Sequence, residues 1–224
     1  MLRGVILDVD ETLVYYEGYD HRKWFEELVK PELERAGIFI DYETYRKTVT
    51  GELPRTYVRN LGVDPVEMWK IIDGVNHRYR KEMLRLGKIR PFPDVDALKE
   101  LRKLGLKLGA VSNATEENTR LVLSAFGLDR YFEVVIGKDY SNLDGVKPNP
   151  YLVEKALKAL KLKPDEAIMV GDSAHDVLAG KRAGLKTVNV TRFGKVDGAD
   201  YYVNDLWGLV ELVKGLLSKR PPEV

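Results

Sequence analysis

Short apolar runs alternate with stretches of helical periodicity along most of this chain, and that alternation restricts its fold more than any other feature. Strand-like runs lie at Gly4–Leu7, Leu106–Val111, Val134–Ile136, Ala167–Val170, Thr187–Val190 and Tyr201–Val203. Between the later ones, Val95–Leu104 carries Leu98, Leu101 and Leu104, and Glu116–Phe126 carries Leu121, Val122 and Ala125. Tyr151–Leu160 carries Leu152, Ala156, Leu157 and Leu160, and Asp176–Ala183 precedes Gly184, a helix stop. A last helix is expected over Leu206–Leu217, followed by a frayed tail, Ser218–Val224. Strand alternating with helix builds a parallel sheet covered on both faces, so the expected fold class is α/β, doubly wound.

The stretch from Val14 to Ile89 breaks the alternation. His21–Ala36 places Trp24, Phe25, Leu28, Val29 and Leu33 at helical spacing, with Asp20 as its cap and Gly37 at its end. Pro31 inside that pattern predicts a kink or a break. Asp41 starts a second helix. Asp64-Pro65 opens a longer third one, with Met68, Ile71, Ile72, Val75 and Tyr79 along it and Gly87 after it. Residues 14–89 are thus expected to form a small all-helical domain over the end of the first strand, and residues 1–13 with 90–224 the sheet-bearing core.

Composition removes several classes of chemistry. The net charge of +1 gives no basis for binding polyanions, so no nucleic-acid partner is expected. There is no cysteine, which excludes disulfides, thiolate metal sites and cysteine nucleophiles. Asp8 interrupts the N-terminal segment before any long apolar stretch, against a signal peptide. No run approaches the roughly 18 apolar residues needed to cross a bilayer. The expectation is a soluble, cytoplasmic protein with no membrane partner, monomeric or homodimeric.

The first apolar run ends in Asp8-Val9-Asp10, at the strand edge where open parallel sheets bind ligands. Two carboxylates there repel and lose hydration together unless a cation or a shared proton compensates. Ser112-Asn113 follows the second core strand, Lys147-Pro148-Asn149-Pro150 the third, and Gly171-Asp172-Ser173-Ala174-His175-Asp176 the fourth. A doubly wound sheet gathers all of these on one edge, an inventory suited to phosphoryl transfer. Carboxylates hold hard cations such as Mg²⁺, while Lys147, Ser112 and backbone amides neutralise a transferring phosphoryl group. Asp8 can then attack phosphorus, and Asp10 can protonate the leaving oxygen and later activate water. Asp172 and Asp176, one helical turn apart, can both face the metal.

Taken singly, each feature has a blander meaning. Asp8 and Asp10 could merely end a strand, Ser112-Asn113 could cap a helix, and Lys147 could be a solvated surface lysine. His175 is expected at the surface of a helix start, and His21 and His77 as structural or exposed. Arg22, Lys23, Arg46, Lys47, Arg55, Arg59, Arg78, Arg80 and Lys81 should mostly be solvated, with one or two reaching an anionic substrate group. Tyr15, Tyr16 and Tyr19 either line the entrance to the site or pack the hinge.

In order and spacing, the four motifs resemble those of the haloacid dehalogenase superfamily, in the branch with a helical cap after the first strand. The resemblance runs from residue 5 to about 190. It implies a Rossmann-like core with a helical cap, Asp8 as nucleophile and Asp10 as general acid/base. It implies Mg²⁺ held by the Asp8 carboxylate, the Asp10 backbone carbonyl and Asp172, with Asp176 as a ligand or supporting one. Ser112 and Lys147 would hold the phosphate, with Asn113 in the same substrate pocket. Many cap-bearing members have Gly where this chain has Glu11, a departure that bears on substrate more than on chemistry. The expected function is a Mg²⁺-dependent phosphatase acting on a small phosphorylated metabolite through an aspartyl-phosphate. A phosphomutase, a 2-haloacid dehalogenase and a catalytically idle binding protein are the alternatives, and the second acid, Asp10, speaks against the dehalogenase.

Overall fold

The computed structural model describes residues 1–218, so all of the tail after Ser218 lies outside the described residues. The chain starts with β1 (Gly4–Leu7) and a short β2 (Val14–Tyr16). Helices α1 (His21–Trp24), α2 (Lys30–Arg35), α3 (Tyr42–Thr50) and α4 (Pro65–Arg85) follow, and β3 (Ile89–Pro91) returns the chain to the sheet. The remainder alternates α5 (Ala97–Lys103), β4 (Lys107–Thr115), α6 (Glu116–Ala125), β5 (Val134–Lys138), α7 (Tyr151–Leu160), β6 (Ala167–Gly171), α8 (Ala174–Arg182), β7 (Lys186–Val190), β8 (Tyr201–Val203) and α9 (Leu206–Ser218).

Six strands form a parallel sheet in the order β5-β4-β1-β6-β7-β8. The chain leaves β1 to one side for β4 and β5, then crosses to the other side for β6, which makes the carboxyl end of β1 the topological switch point. Strand β1 is apolar throughout because both of its faces are covered. Val5 and Leu7 pack in one cluster with α5, α6 and α9, while Ile6 packs in the other with α7 and α8. Gly180 on α8 sits so close to the sheet that a Cβ there would lie 2.7 Å from Met169 Cβ and 2.7 Å from Thr187 Cγ2. Gly180→Ala is therefore expected to lower stability by about 1–3 kcal/mol, read as a reduced Tm; an unchanged Tm contradicts this close seat.

The helical segment keeps most of its expected boundaries because its caps are local. Asp20, Asp41 and Asp64 accept from the backbone N–H of Lys23 (2.9 Å), Thr44 (2.7 Å) and Val66 (2.8 Å). Where a kink or a break is expected at Pro31, the α-helical pattern is interrupted just before the proline: residues Phe25–Val29 form a π-helical turn, with Lys30 N donating to Phe25 O, and α2 begins around the proline. The wider turn moves the carbonyl that the proline ring would strike and needs no N–H from it. Residues 21–85 bury their own cluster, including Phe25, Leu33, Tyr45, Met68 and Trp69. The β2–β3 pair was not expected: it is antiparallel, with Tyr15 opposite Arg90, and sets the two chain crossings side by side. No described helix is long and apolar enough to cross a membrane.

Candidate active site

Asp8 follows β1 directly, Ser112 and Asn113 lie near the end of β4, and Asp172 follows β6. Asp176 occupies the first turn of α8, and Lys147 lies in the loop between β5 and α7. With Asp10, these residues line one cavity of about 350 Å³ at the switch point.

Lys147 is the hub. Its Nζ donates to Asp8 Oδ1 (2.5 Å), Asp176 Oδ1 (2.6 Å) and Val111 O (3.1 Å), and the residue is only 3% exposed. Its backbone is pinned by Asn113, whose Nδ2 donates to Lys147 O (2.9 Å) and whose Oδ1 accepts from Lys147 N (2.8 Å). The Asn113 carboxamide thus positions Lys147. Ser112 is buried at the cavity wall, its Oγ accepting from Ala114 N (3.1 Å).

Asp8, Asp172 and Asp176 each bring a carboxylate oxygen within 4.8 Å of the others. Thr12 Oγ1 lies between two of them, 3.2 Å from Asp8 Oδ2 and 2.8 Å from Asp172 Oδ1. Asp176 Oδ2 accepts from Ser173 N (3.0 Å) and Ser173 Oγ (2.6 Å), closing the first turn of α8. Only glycine fits at 171, where a Cβ would lie 2.3 Å from Asp176 Cγ. Burial pushes the Asp8 carboxyl well above its usual range although Lys147 opposes it. Burial and the Asp176 charge push Asp172 up to about 6. A largely buried, all-oxygen donor set with more negative charge than Lys147 can neutralise fits a hard divalent cation.

The Asp10 carboxylate turns to a different partner. Arg80 of α4 binds it through Nη1 (3.1 Å) and Nη2 (2.7 Å), and Tyr16 Oη donates to Oδ1 (2.6 Å). Burial works against its ionisation, but Arg80, Tyr16 and Lys147 together outweigh that and hold the carboxyl below its usual range. Between Asp10 and β2, Glu11 adopts a left-handed backbone, φ 65°, with its N–H donated to Val14 O (2.7 Å). Glycine favours that conformation, so the glutamate retains the turn and adds a carboxylate at the cavity wall.

The helical segment supplies the opposite wall, with Tyr19, His21, Trp24, Tyr45, Trp69 and Tyr79 facing the cavity. Of the cationic side chains singled out in this segment, Arg55 and Arg80 are the buried ones. Tyr16 and Tyr19 do line the cavity, while Tyr15 packs on Phe92 with ring centroids 5.1 Å apart. His175, expected at the surface, is partly buried and hydrogen-bonds Thr50 O (3.1 Å) across to the helical segment. His21 pairs with Tyr42 Oη (3.1 Å) and His77 with Asn118 Oδ1 (2.8 Å), both structural contacts.

A second buried ion pair joins the two walls. Lys138 Nζ at the end of β5 reaches Asp73 of α4 at 2.7 Å and 2.6 Å, and Tyr140 Oη donates to the same carboxylate (2.7 Å). Burial pushes the Lys138 ammonium down to about 7; Asp73 supports the charge and Arg55 opposes it. Unfolded, the lysine titrates near 10.5, so between those values the unfolded chain holds the extra proton. This contribution to stability therefore grows as pH rises from 7 toward 10.5 and is absent below 7. Urea denaturation at about pH 7 and about pH 9 should show a larger gain in wild type than in Lys138→Met; equal gains contradict the assignment.

Arg80, Asp73 and Lys138 carry no motif, and each reaches the site through tertiary contacts that local sequence does not announce. Pyrophosphatase PpaX of Halalkalibacterium halodurans is 31% identical over 210 residues, spanning 89% of this chain and 84% of the relative. The HAD phosphatase of Thermococcus onnurineus has a similar structure, with a TM-score of 0.62 at 25% identity over 96% of this chain and 99% of that one. CbbY of Rhodobacter sphaeroides, solved in complex with phosphate, shares the fold, with a TM-score of 0.67 at 23% identity over 92% of this chain and 95% of its own. Residues 5–190 match the haloacid dehalogenase-like hydrolase family along the same span that carries every motif of the site, and the chain belongs to that family.

Proposed function

We propose that the chain is a Mg²⁺-dependent phosphatase that acts in the cytoplasm on a small phosphorylated metabolite, with residues 14–89 as a cap domain over the site. The observation that carries this reading is the bridge from Lys147 to Asp8 and Asp176, beside a carboxylate cluster that fits a divalent cation. Asp8, Asp172 and Asp176, with the Asp10 backbone carbonyl, would hold Mg²⁺, which when bound offsets charge on the carboxylates and on the phosphoryl oxygens.

Lys147 and Ser112 bind the phosphoryl group and orient it toward Asp8. An Asp8 oxygen forms a bond to phosphorus while the ester oxygen leaves and takes a proton from the Asp10 carboxyl. Asp10, now ionised, takes a proton from water as that water attacks the aspartyl-phosphate, releasing phosphate and restoring Asp8. The contact with Arg80 supports the ionised form needed for the second step. For the first step Asp10 must carry a proton, so Arg80 has to loosen its hold when the leaving oxygen arrives. Asp10 is also the acid that a dehalogenase acting on carbon would not need.

The relative's name adds inorganic pyrophosphate to the candidate substrates. A cavity of about 350 Å³ walled by aromatic rings favours an organic phosphate instead. Hydrolysis of p-nitrophenyl phosphate, pyrophosphate and a panel of sugar and acid phosphates should appear with Mg²⁺ and vanish with EDTA. Turnover that persists in EDTA, or none with any phosphorylated compound, contradicts the proposal.

A further inference from the structure

Among the described residues, the buried side-chain nitrogens without a hydrogen-bond partner are Trp24 Nε1, Arg55 Nε and Arg55 Nη1. Both residues face the cavity described above. Arg55 is 4% exposed, and its guanidinium lies 4.3 Å over the Trp69 ring, which satisfies none of its N–H groups. Nearby acids do not pair with it directly. Asp73 is engaged by Lys138 and Tyr140, and Asp144 accepts from Thr56 N (3.1 Å) and Thr56 Oγ1 (2.6 Å). That last contact ties the turn Arg55–Leu61 to the loop after β5, so Arg55 is held in place beside the cavity. Burial pulls its guanidinium down to about 10, with Asp73, Tyr45 and Asp144 offsetting only part of the effect.

A buried guanidinium without a hydrogen-bonded counter-charge is costly, and so is each unpaired buried N–H. Asp73 is held by Lys138 and Tyr140 and Asp144 by Thr56, which leaves Arg55 without a hydrogen-bonded counter-charge on this side of the cavity. We propose that Arg55, assisted by Trp24 Nε1, receives a second anionic group of the substrate, a carboxylate or phosphate at the far end of a compact organic body. The assignment rests on the phosphatase reading for the first group, the phosphoryl that faces Asp8 and Lys147. Arg55 approaches from the helical segment and Lys147 from the sheet edge, and the aromatic wall suits the carbon skeleton between two anionic ends. Such a substrate is a phosphomonoester that is also an acid or a second phosphomonoester, which sets it apart from pyrophosphate.

Binding of non-hydrolysable probes tests this without turnover. Calorimetry in Mg²⁺ would compare butylphosphonate, which has one anionic group, with phosphonobutanoate and tetramethylene bisphosphonate, which have two. Wild type is expected to bind at least one doubly anionic probe about tenfold or more tighter than butylphosphonate. The better of the two identifies the second group as carboxylate or phosphate. Arg55→Met should erase the preference, and Arg55→Lys should weaken it by removing the planar fork while keeping the charge. If the Met variant fails to fold, the Lys variant carries the comparison. Equal affinities in wild type, no binding of either doubly anionic probe, or an undiminished preference in the folded variants overturns the proposal. Wild-type hydrolysis of p-nitrophenyl phosphate judges the phosphatase reading separately, so activity with equal probe affinities would discard this inference alone.

Discussion

Asp8→Asn should cut turnover of phosphate monoesters by about 10⁴-fold or more and leave the fold intact. Asp8 is 7% exposed and its carboxylate is held by Lys147 Nζ at 2.5 Å and Thr12 Oγ1 at 3.2 Å, so an amide of the same shape enters the same place. That amide has no charge with which to attack phosphorus. Stability should hold or rise, because burial already disfavours the ionised acid at this position. Steady-state kinetics beside a thermal melt reads both. A folded variant with near-wild-type kcat/KM would show that Asp8 is not the nucleophile.

Lys147→Met should be costly to both stability and rate. The ammonium is the cation in direct contact with Asp8 and Asp176, and it also donates to Val111 O. Removing one partner from a buried ionic cluster leaves like charges facing each other, typically a loss of about 3–5 kcal/mol. Added Mg²⁺ should recover part of that loss in the variant, because the remaining carboxylates keep a donor set suited to it. Turnover should fall by about 10²–10³-fold even in saturating Mg²⁺, since the donor proposed for the phosphoryl group is lost. Urea denaturation with and without Mg²⁺, beside kinetics, separates the two effects. Wild-type stability and rate in the variant would remove Lys147 from the site.

Much of this arrangement is legible in the sequence because its signals are local. Val5-Ile6-Leu7 reads as a strand since both of its faces are covered, and the acids that follow are adjacent in the chain. Asp20, Asp41 and Asp64 mark helix starts because each cap bonds within three residues. The switch-point rule then brings the later motifs to one edge. What stays hidden depends on distant partners. Arg80 resembles its exposed helix neighbours Arg78 and Lys81 until α4 packs it against Asp10, and Arg55 is indistinguishable from Arg59 until the turn at residues 55–61 buries it. The β2–β3 pair is three residues on each side and depends on strands far apart in sequence. The π-helical turn answers Pro31 with a backbone adjustment that no residue pattern encodes.

In the proposed reaction Asp8 carries the phosphoryl group between the two half-reactions. The most direct test is to mix the Asp10→Asn variant with p-nitrophenyl phosphate and Mg²⁺, quench within the first turnover, reduce with borohydride and sequence the peptides by mass spectrometry. An acyl phosphate at Asp8 would be converted to homoserine, and homoserine at position 8 is the expected product. Reduction product at another acid, or none at Asp8 after a measured burst of nitrophenol, would contradict it.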